Sequence, residues 1–313
     1  MRLHHLCAVL MAAISSVSVT YAEDDVALEA ATLARPEGAR SYQLFVPEKL
    51  GDAPAIVFAL HGSRGNGDRV RRLTARALET HAREDGWVVV YADAYKGSWN
   101  GCRKPAVNPA KQEGIDDVAF LTALSHELEG RFGDLPLYVV GFSGGGHMAY
   151  RLAAEAGADA PDAVALLSAQ VPEEEDSLCG SLKAPVNALL ITGTDDPVNP
   201  YGGGKVMLGD LSLGAVMSAG ESAAYLAGKR TAGPNSLVDS GMDGADISVW
   251  QGVGDTEVRL VTLKGNGHLI SGGGVEYPAK FGVEAVPYPT VDAVWSFFHT
   301  VQDRAGQGRK TKH

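Results

Sequence analysis

A mostly parallel α/β sheet covered by helices on both faces is what the sequence predicts, on three observations. Short apolar runs alternate with helix-like patterns from about residue 41 to residue 301. Several runs, such as Ala55-Ile56-Val57-Phe58-Ala59-Leu60 and Ala188-Leu189-Leu190-Ile191, are apolar at every position, as strands buried on both faces are. No linker, repeat or shift of composition divides the 313 residues, so residues 23–313 are expected to form a single domain.

The elements follow in order. Residues 1–22 begin with Arg2, His4 and His5, continue through a serine-rich apolar stretch, and end in Thr20-Tyr21-Ala22 before Glu23-Asp24-Asp25. That pattern is a secretory signal with cleavage after Ala22, too short to span a bilayer comfortably. The expected location is therefore secreted or periplasmic, with no membrane partner. Strands are expected over 41–46, 55–60, 87–91, 137–140, 163–167, 188–192 and 258–263, and helices over 68–83, 116–128, 144–156 and 220–228. A last helix over 291–301 has Thr290 as its N-cap, just after Pro289. The segment from about 303, with Arg309, Lys310 and Lys312, reads as a disordered tail.

Two long stretches, 93–114 and 197–258, read as irregular apart from the one helical pattern in the second. Loops of that length are usually functional or disordered. Both follow strand ends, so they are expected to wall a substrate cleft. Trp99 in the first and Tyr201 in the second are candidate substrate contacts, with Trp250 a further aromatic. For Trp99 and Trp250, simple packing stays open as the other reading.

Charge and cysteines narrow the partners. The formal net charge is −11, so nucleic acid is not an expected partner. Cleavage after Ala22 would remove Cys7 and leave Cys102 and Cys179, an even pair in an oxidising compartment. A bridge between them closes a loop of about 77 residues, typically worth about 2–4 kcal/mol; two buried free thiols are the alternative. No metal-ligand spacing and no phosphate loop with its lysine occurs. Neither metal nor cofactor is expected.

The chemistry is concentrated at Gly141-Phe142-Ser143-Gly144-Gly145. A Gly-x-Ser-x-Gly between a buried strand and a helix is a nucleophile elbow, a tight turn that lifts a serine hydroxyl above the sheet. In a chain with 38 glycines the pentapeptide alone is a modest signal. Its context, strand-like 137–140 before and helix-like 147–154 after, makes Ser143 the candidate nucleophile. Such a serine needs an acid and then a histidine downstream. Asp195 and Asp196 follow the apolar run at 188–191, where a triad carboxylate belongs, although Asp-Asp-Pro also suits a plain turn. Of the later histidines, His313 ends the sequence and His299 lies in the last helix. His268 sits in a loop past the strand at 258–263 and is the candidate base. Upstream, His61-Gly62-Ser63 follows the strand at 55–60. The N–H groups of Ser63 and Gly144 are the candidate oxyanion donors. His61 reads as a brace for its own loop, and His147, one turn beyond Ser143, as a residue outside the chemistry.

Taken together, His61-Gly62-x-x-Gly65-Asn66, Asp116-Asp117-Val118, Gly141-x-Ser143-x-Gly145-Gly146-x-Met148-Ala149 and Gly193-Thr194-x-Asp196-Pro197-Val198-x-Pro200-Tyr201 resemble the secreted polyhydroxybutyrate-depolymerase-like esterases. This α/β-hydrolase group also includes feruloyl esterases. The resemblance runs over roughly residues 40–300. It implies Ser143 as nucleophile, Asp196 rather than Asp195 as acid, His268 as base, and a structural role for Asp116 and Asp117. The sequence departs from the group after the histidine, where Leu269-Ile270-Ser271-Gly272 stands in place of Trp-Pro-Gly. With no adsorption domain in view either, a soluble ester or short oligomer is the expected substrate. Acyl transfer, amide or peptide hydrolysis, and a catalytically silent binding protein remain open on the same fold.

Overall fold

Strands apolar at every position form the interior of a ten-stranded sheet, in a computed structural model that describes residues 27–229 and 233–310. The leader expected at 1–22 lies outside the described residues. The strands are β1 (Glu29–Arg35), β2 (Gly38–Phe45), β3 (Ile56–Leu60), β4 (Val88–Ala92), β5 (Leu137–Phe142), β6 (Ala163–Leu167), β7 (Ala188–Gly193), β8 (Gly204–Leu208), β9 (Leu211–Val216), β10 (Ser236–Asp239), β11 (Ala245–Gln251) and β12 (Glu257–Leu263). The helices are α1 (Gly67–Leu73), α2 (Ala77–Asp85), α3 (Pro109–Gln112), α4 (Asp117–Phe132), α5 (Gly144–Glu155), α6 (Ala219–Leu226) and α7 (Thr290–Lys310).

The sheet order is β1-β2-β4-β3-β5-β6-β7-β12-β11-β10, and β8 pairs with β9 in a separate hairpin. Pairing is parallel from β4 through β12 and antiparallel at both edges. Alternate side chains face opposite layers. Ile56, Phe58 and Leu60 pack with Phe120, Leu124 and Met148 of α4 and α5. Val57 and Ala59 pack on the other face with Val70, Leu78 and Phe298 of α1, α2 and α7. Because the central strands are parallel, their carboxyl ends share one edge, where open α/β sheets bind ligands.

Every strand expected from an apolar run is present, and the differences lie elsewhere. The expected helix over 68–83 is two helices, broken where Ala75 and Arg76 take φ of 49° and 60°. The stretch 197–258 is not largely irregular: it contains β8, β9, β10 and β11 besides α6. These strands are antiparallel or lie at an edge, so they lack the continuous apolar run of a central strand. The tail expected to be disordered from about 303 is helical to residue 310. Its register follows from Val294, Trp295, Phe298 and Val301, all buried, and Arg304 extends it by pairing with Glu257 at 2.8 Å.

Cys102 and Cys179 are joined by a disulfide. Around it the backbones of the two loops pair: Leu178 N–H donates to Cys102 O at 2.6 Å and Lys104 N–H to Asp176 O at 2.7 Å. Cys102→Ser is expected to lower unfolding free energy by about 2–4 kcal/mol, read from denaturant melts. The wild-type protein from residue 23 onward should show no titratable thiol before reduction. Two reactive thiols, or an unchanged melt, would contradict the assignment.

Candidate active site

The turn from β5 into α5 is sterically possible only with glycine beside the serine. A Cβ at Gly141 would stand 2.2 Å from Gly145 O, and one at Gly145 would stand 2.2 Å from Leu60 O. Ser143 between them takes φ 53° and ψ −114°, a strained region for a residue with a side chain. Its N–H is held by Leu167 O at 2.8 Å.

Ser143, His268 and Asp196 are brought into one hydrogen-bonded line. Ser143 Oγ lies 2.8 Å from His268 Nε2, and His268 Nδ1 lies 2.8 Å from Asp196 Oδ2. A carboxylate can only accept, so Nδ1 carries the proton and bare Nε2 faces the serine hydroxyl. The other carboxylate oxygen, Oδ1, accepts from the N–H groups of Val198 and Asn199 at 2.7 and 2.8 Å. Both oxygens of Asp196 are thereby held as acceptors in one orientation. Asp195 points away from this line: it is exposed, and it accepts from Thr194 Oγ1. The backbone N–H of His268 donates to Phe281 O at 2.6 Å, and its ring packs on Phe142 of β5 at 5.2 Å between centroids.

The two expected donors stand side by side. A Cβ at Gly144 would lie 3.1 Å from Ser63 N. Gly144 N–H belongs to the first turn of α5, where a helix provides no acceptor. Ser63 N–H donates to no described residue. Both are free to meet a negative oxygen above Ser143. His61 braces this loop: Ala94 N–H donates to Nε2 at 3.0 Å, which leaves the proton on Nδ1, facing Gly62 O at 2.7 Å. With both nitrogens engaged, His61 has none left for Ser143.

The comparisons bear on the frame that holds this geometry. No protein-family model matches the chain. An acetyl xylan esterase from Aspergillus awamori superposes with a TM-score of 0.54 at 14% identity, covering 77% of this chain and 94% of that one. A thermostable esterase superposes with a TM-score of 0.50 at 15% identity, covering 86% of this chain and 60% of that one. The chain has the α/β-hydrolase fold. In sequence it is 30% identical over 159 residues to "Putative esterase NocK" of Nocardia uniformis subsp. tsuyamanensis. That match spans 49% of this chain and 43% of that protein, so the chain matches less than half of the relative's length.

On this α/β-hydrolase frame the cleft over Ser143 holds about 230 Å3. Neither expected aromatic contact lines it. Trp99 is only 3% exposed, donates its indole N–H to His61 O at 2.9 Å and packs on the His61 ring. Its polar edge finds a partner beneath the oxyanion loop, so it supports that loop rather than facing substrate. Tyr201 donates to or accepts from Thr262 Oγ1 at 2.8 Å and packs against the core. Trp250 is buried in β11. The apolar wall comes instead from Leu208 and Leu213 of the β8–β9 hairpin, with Phe142, Tyr277 and Phe281 beside the histidine. Tyr277 and Phe281 line the cleft although they lie nine and thirteen residues beyond His268. Nothing in the irregular-looking 273–283 stretch marks them out in the sequence. Asn199 also lines the cleft and donates to Ser168 O at 2.7 Å; its place after Asp196-Pro197 is its one mark in the sequence. Among the described residues no cluster of three or more His, Cys, Asp or Glu side chains could hold a metal ion.

Asp116 caps α4 by accepting from Ala119 N–H at 2.9 Å, while buried Asp117 pairs with Arg40 at 2.7 Å. His147 is buried one turn into α5, with Nε2 3.4 Å from Asn199 Oδ1 and Nδ1 without a hydrogen-bond partner among the described residues. Burial, reinforced for His147 by the nearby Arg103 charge, pushes His61 and His147 below the ordinary histidine range. Both stay neutral in the fold, whereas an unfolded histidine protonates at about pH 6.5. Below that pH the unfolded state binds more protons, so stability falls as pH drops toward the depressed folded value. His147→Gln is expected to flatten the fall in Tm between about pH 6.5 and pH 5. A slope equal to the wild type would mean the buried imidazole is not resisting protonation.

Proposed function

We propose that this α/β-hydrolase is a secreted serine carboxylic-ester hydrolase that works through an acyl-enzyme. The observation that carries the reading is the unbroken line from Ser143 Oγ through His268 to Asp196, built on a strained backbone turn at Ser143. His268 Nε2 takes the serine proton as Oγ attacks the ester carbonyl. Asp196 keeps the ring oriented and stabilises the imidazolium, and the N–H groups of Ser63 and Gly144 receive the oxyanion. The alcohol leaves with the proton from His268, and water, deprotonated by the same nitrogen, releases the acid.

The substrate class rests on the motif resemblance to polyhydroxybutyrate-depolymerase-like and feruloyl esterases, and the relative matched over 43% of its length is named "Putative esterase NocK". A soluble ester or short hydroxyalkanoate oligomer suits a cleft of this size. The signal-like residues 1–22 and the Cys102–Cys179 disulfide support export. Among the described residues no helix is long and apolar enough to cross a membrane.

A series of p-nitrophenyl acyl esters, feruloyl esters and hydroxybutyrate oligomers tests the reading; no hydrolysis of any of them would contradict it. Ser143→Ala and His268→Ala should each lower kcat by several orders of magnitude, and the double variant should be little worse than either. Additive losses would mean the two groups do not share a step. Asp196→Asn should cost about 10^3–10^4 in kcat by favouring the wrong imidazole tautomer. Asp195→Asn should stay near wild type. The reverse order, with both variants folded, would displace the acid by one residue.

A further inference from the structure

The charge around Ser143 runs against the charge of the chain. The sequence carries a net −11, yet the cleft is lined by Arg64, Arg69, Arg103 and Lys280 and by no acidic residue among those described. An adjoining cavity of about 190 Å3 shares Arg64 and Arg103, adds Lys96 and Lys111, and again has no Asp or Glu in its lining. Lys96 is already matched by Glu113 at 2.7 Å. The cations of the cleft itself have no such match: no carboxylate of the described residues pairs with Arg64, Arg69, Arg103 or Lys280.

Arg103 is the most constrained of the four. Its Nη1 is buried and has no hydrogen-bond partner among the described residues. Its charge is felt by its surroundings: it helps to hold Lys111 down to about 7, after burial and alongside Arg151. Burial lowers Arg103 itself to about 10, so it remains a cation at neutral pH. Nη1 itself is closed to solvent, but the Arg103 side chain lines both cavities, and an anion in the cleft would give this otherwise unmatched cation a charge-assisted partner. The position is held from three sides. Cys102 beside it is in the disulfide, Arg103 bridges Ser177 through the backbone, and Lys104 N–H donates to Asp176 O.

We propose that Arg103 is the specificity residue of this cleft, binding a carboxylate carried by the ester substrate, so that the preferred substrates are acid esters rather than neutral ones. The proposal rests on the esterase reading above and adds the substrate's charge. Arg64, Arg69 and Lys280 raise the local anion concentration at the entrance, and Arg103 sets the bound pose.

The test uses two matched pairs: p-nitrophenyl hydrogen suberate against its methyl ester, and 4-acetoxybenzoate against methyl 4-acetoxybenzoate. Each kcat/KM is normalised to that ester's own hydroxide-catalysed rate. In at least one pair the wild type should favour the carboxylate about tenfold or more, the scale of one bond to a charged group. Arg103→Gln should bring that ratio to within about twofold, the loss falling mainly on the carboxylate ester, and Arg103→Lys should keep part of the preference. Suberate binding to the wild type and to Arg103→Gln, read by calorimetry, gives a measure independent of turnover. Lost binding in the variant with no ester hydrolysed would leave the anion site standing and remove the esterase reading. If Arg103→Gln does not fold, competitive inhibition of the wild type by suberate, weakening with added salt, against none by dimethyl suberate decides the point. Equal rates within both pairs, an unchanged ratio in Arg103→Gln, or equal inhibition by suberate and its dimethyl ester would overturn the proposal.

Discussion

The backbone of Ser143 is held where a side-chain-bearing residue rarely rests, at φ 53° and ψ −114°, and the rest of the site is arranged around it. A conformation of that kind costs on the order of 1–3 kcal/mol, so it persists only where neighbours over-determine it. Here they do. β5 delivers the chain from the middle of the sheet, Leu167 O holds the serine N–H, and α5 departs at once with its first turn buried. The close approaches at Gly141 and Gly145 leave no room for another path. The same turn does two chemical things at once. It raises Oγ toward His268 and leaves Gly144 N–H without a helical partner, beside Ser63 N–H.

The supporting loops divide their work by stiffness and charge. Asp196 is fixed by two backbone N–H groups of its own turn, so the acid needs no distant element to orient it. His268 depends on the later 278–282 turn, where a Cβ at Gly267 would stand 2.1 Å from Phe281 O. The disulfide acts on the opposite wall. It ties the 102–104 segment to 176–178, and Asp176 in turn accepts from Ala215 N–H of β9 at 2.8 Å. Arg103 and the hairpin residues Leu208 and Leu213 are thereby linked across one wall of the cleft. The cross-link thus fixes one wall of the cleft as well as the fold.

The parts of this molecule legible in the sequence are those where one physical demand dictates residue type. Central strands must be apolar on both faces, so β3 to β7 and β12 stand out as runs. The elbow demands glycine on either side of serine, and the loops after β7 and β12 offer few candidates for an acid and a base. The edge strands were harder to see, because exposure relaxes the pattern: all four residues of β10 are exposed, and β8–β9 are built on glycine-rich sequence. Side-chain direction was illegible. Trp99 follows a strand on the correct edge, yet its indole turns inward to His61 O, a choice made by a backbone carbonyl that no local pattern announces. Arg103 gave no signal for the same reason, since the lack of a partner is a property of the fold.

The central claim is that the strained serine is a nucleophile activated by His268. Reaction with a fluorophosphonate, followed by mass spectrometry of the peptides, tests it most directly. The account predicts one adduct per chain, located on Ser143, formed rapidly in the wild type and slowed by several orders of magnitude in His268→Ala. A label on another residue, or labelling of Ser143 at the same rate without His268, would contradict it.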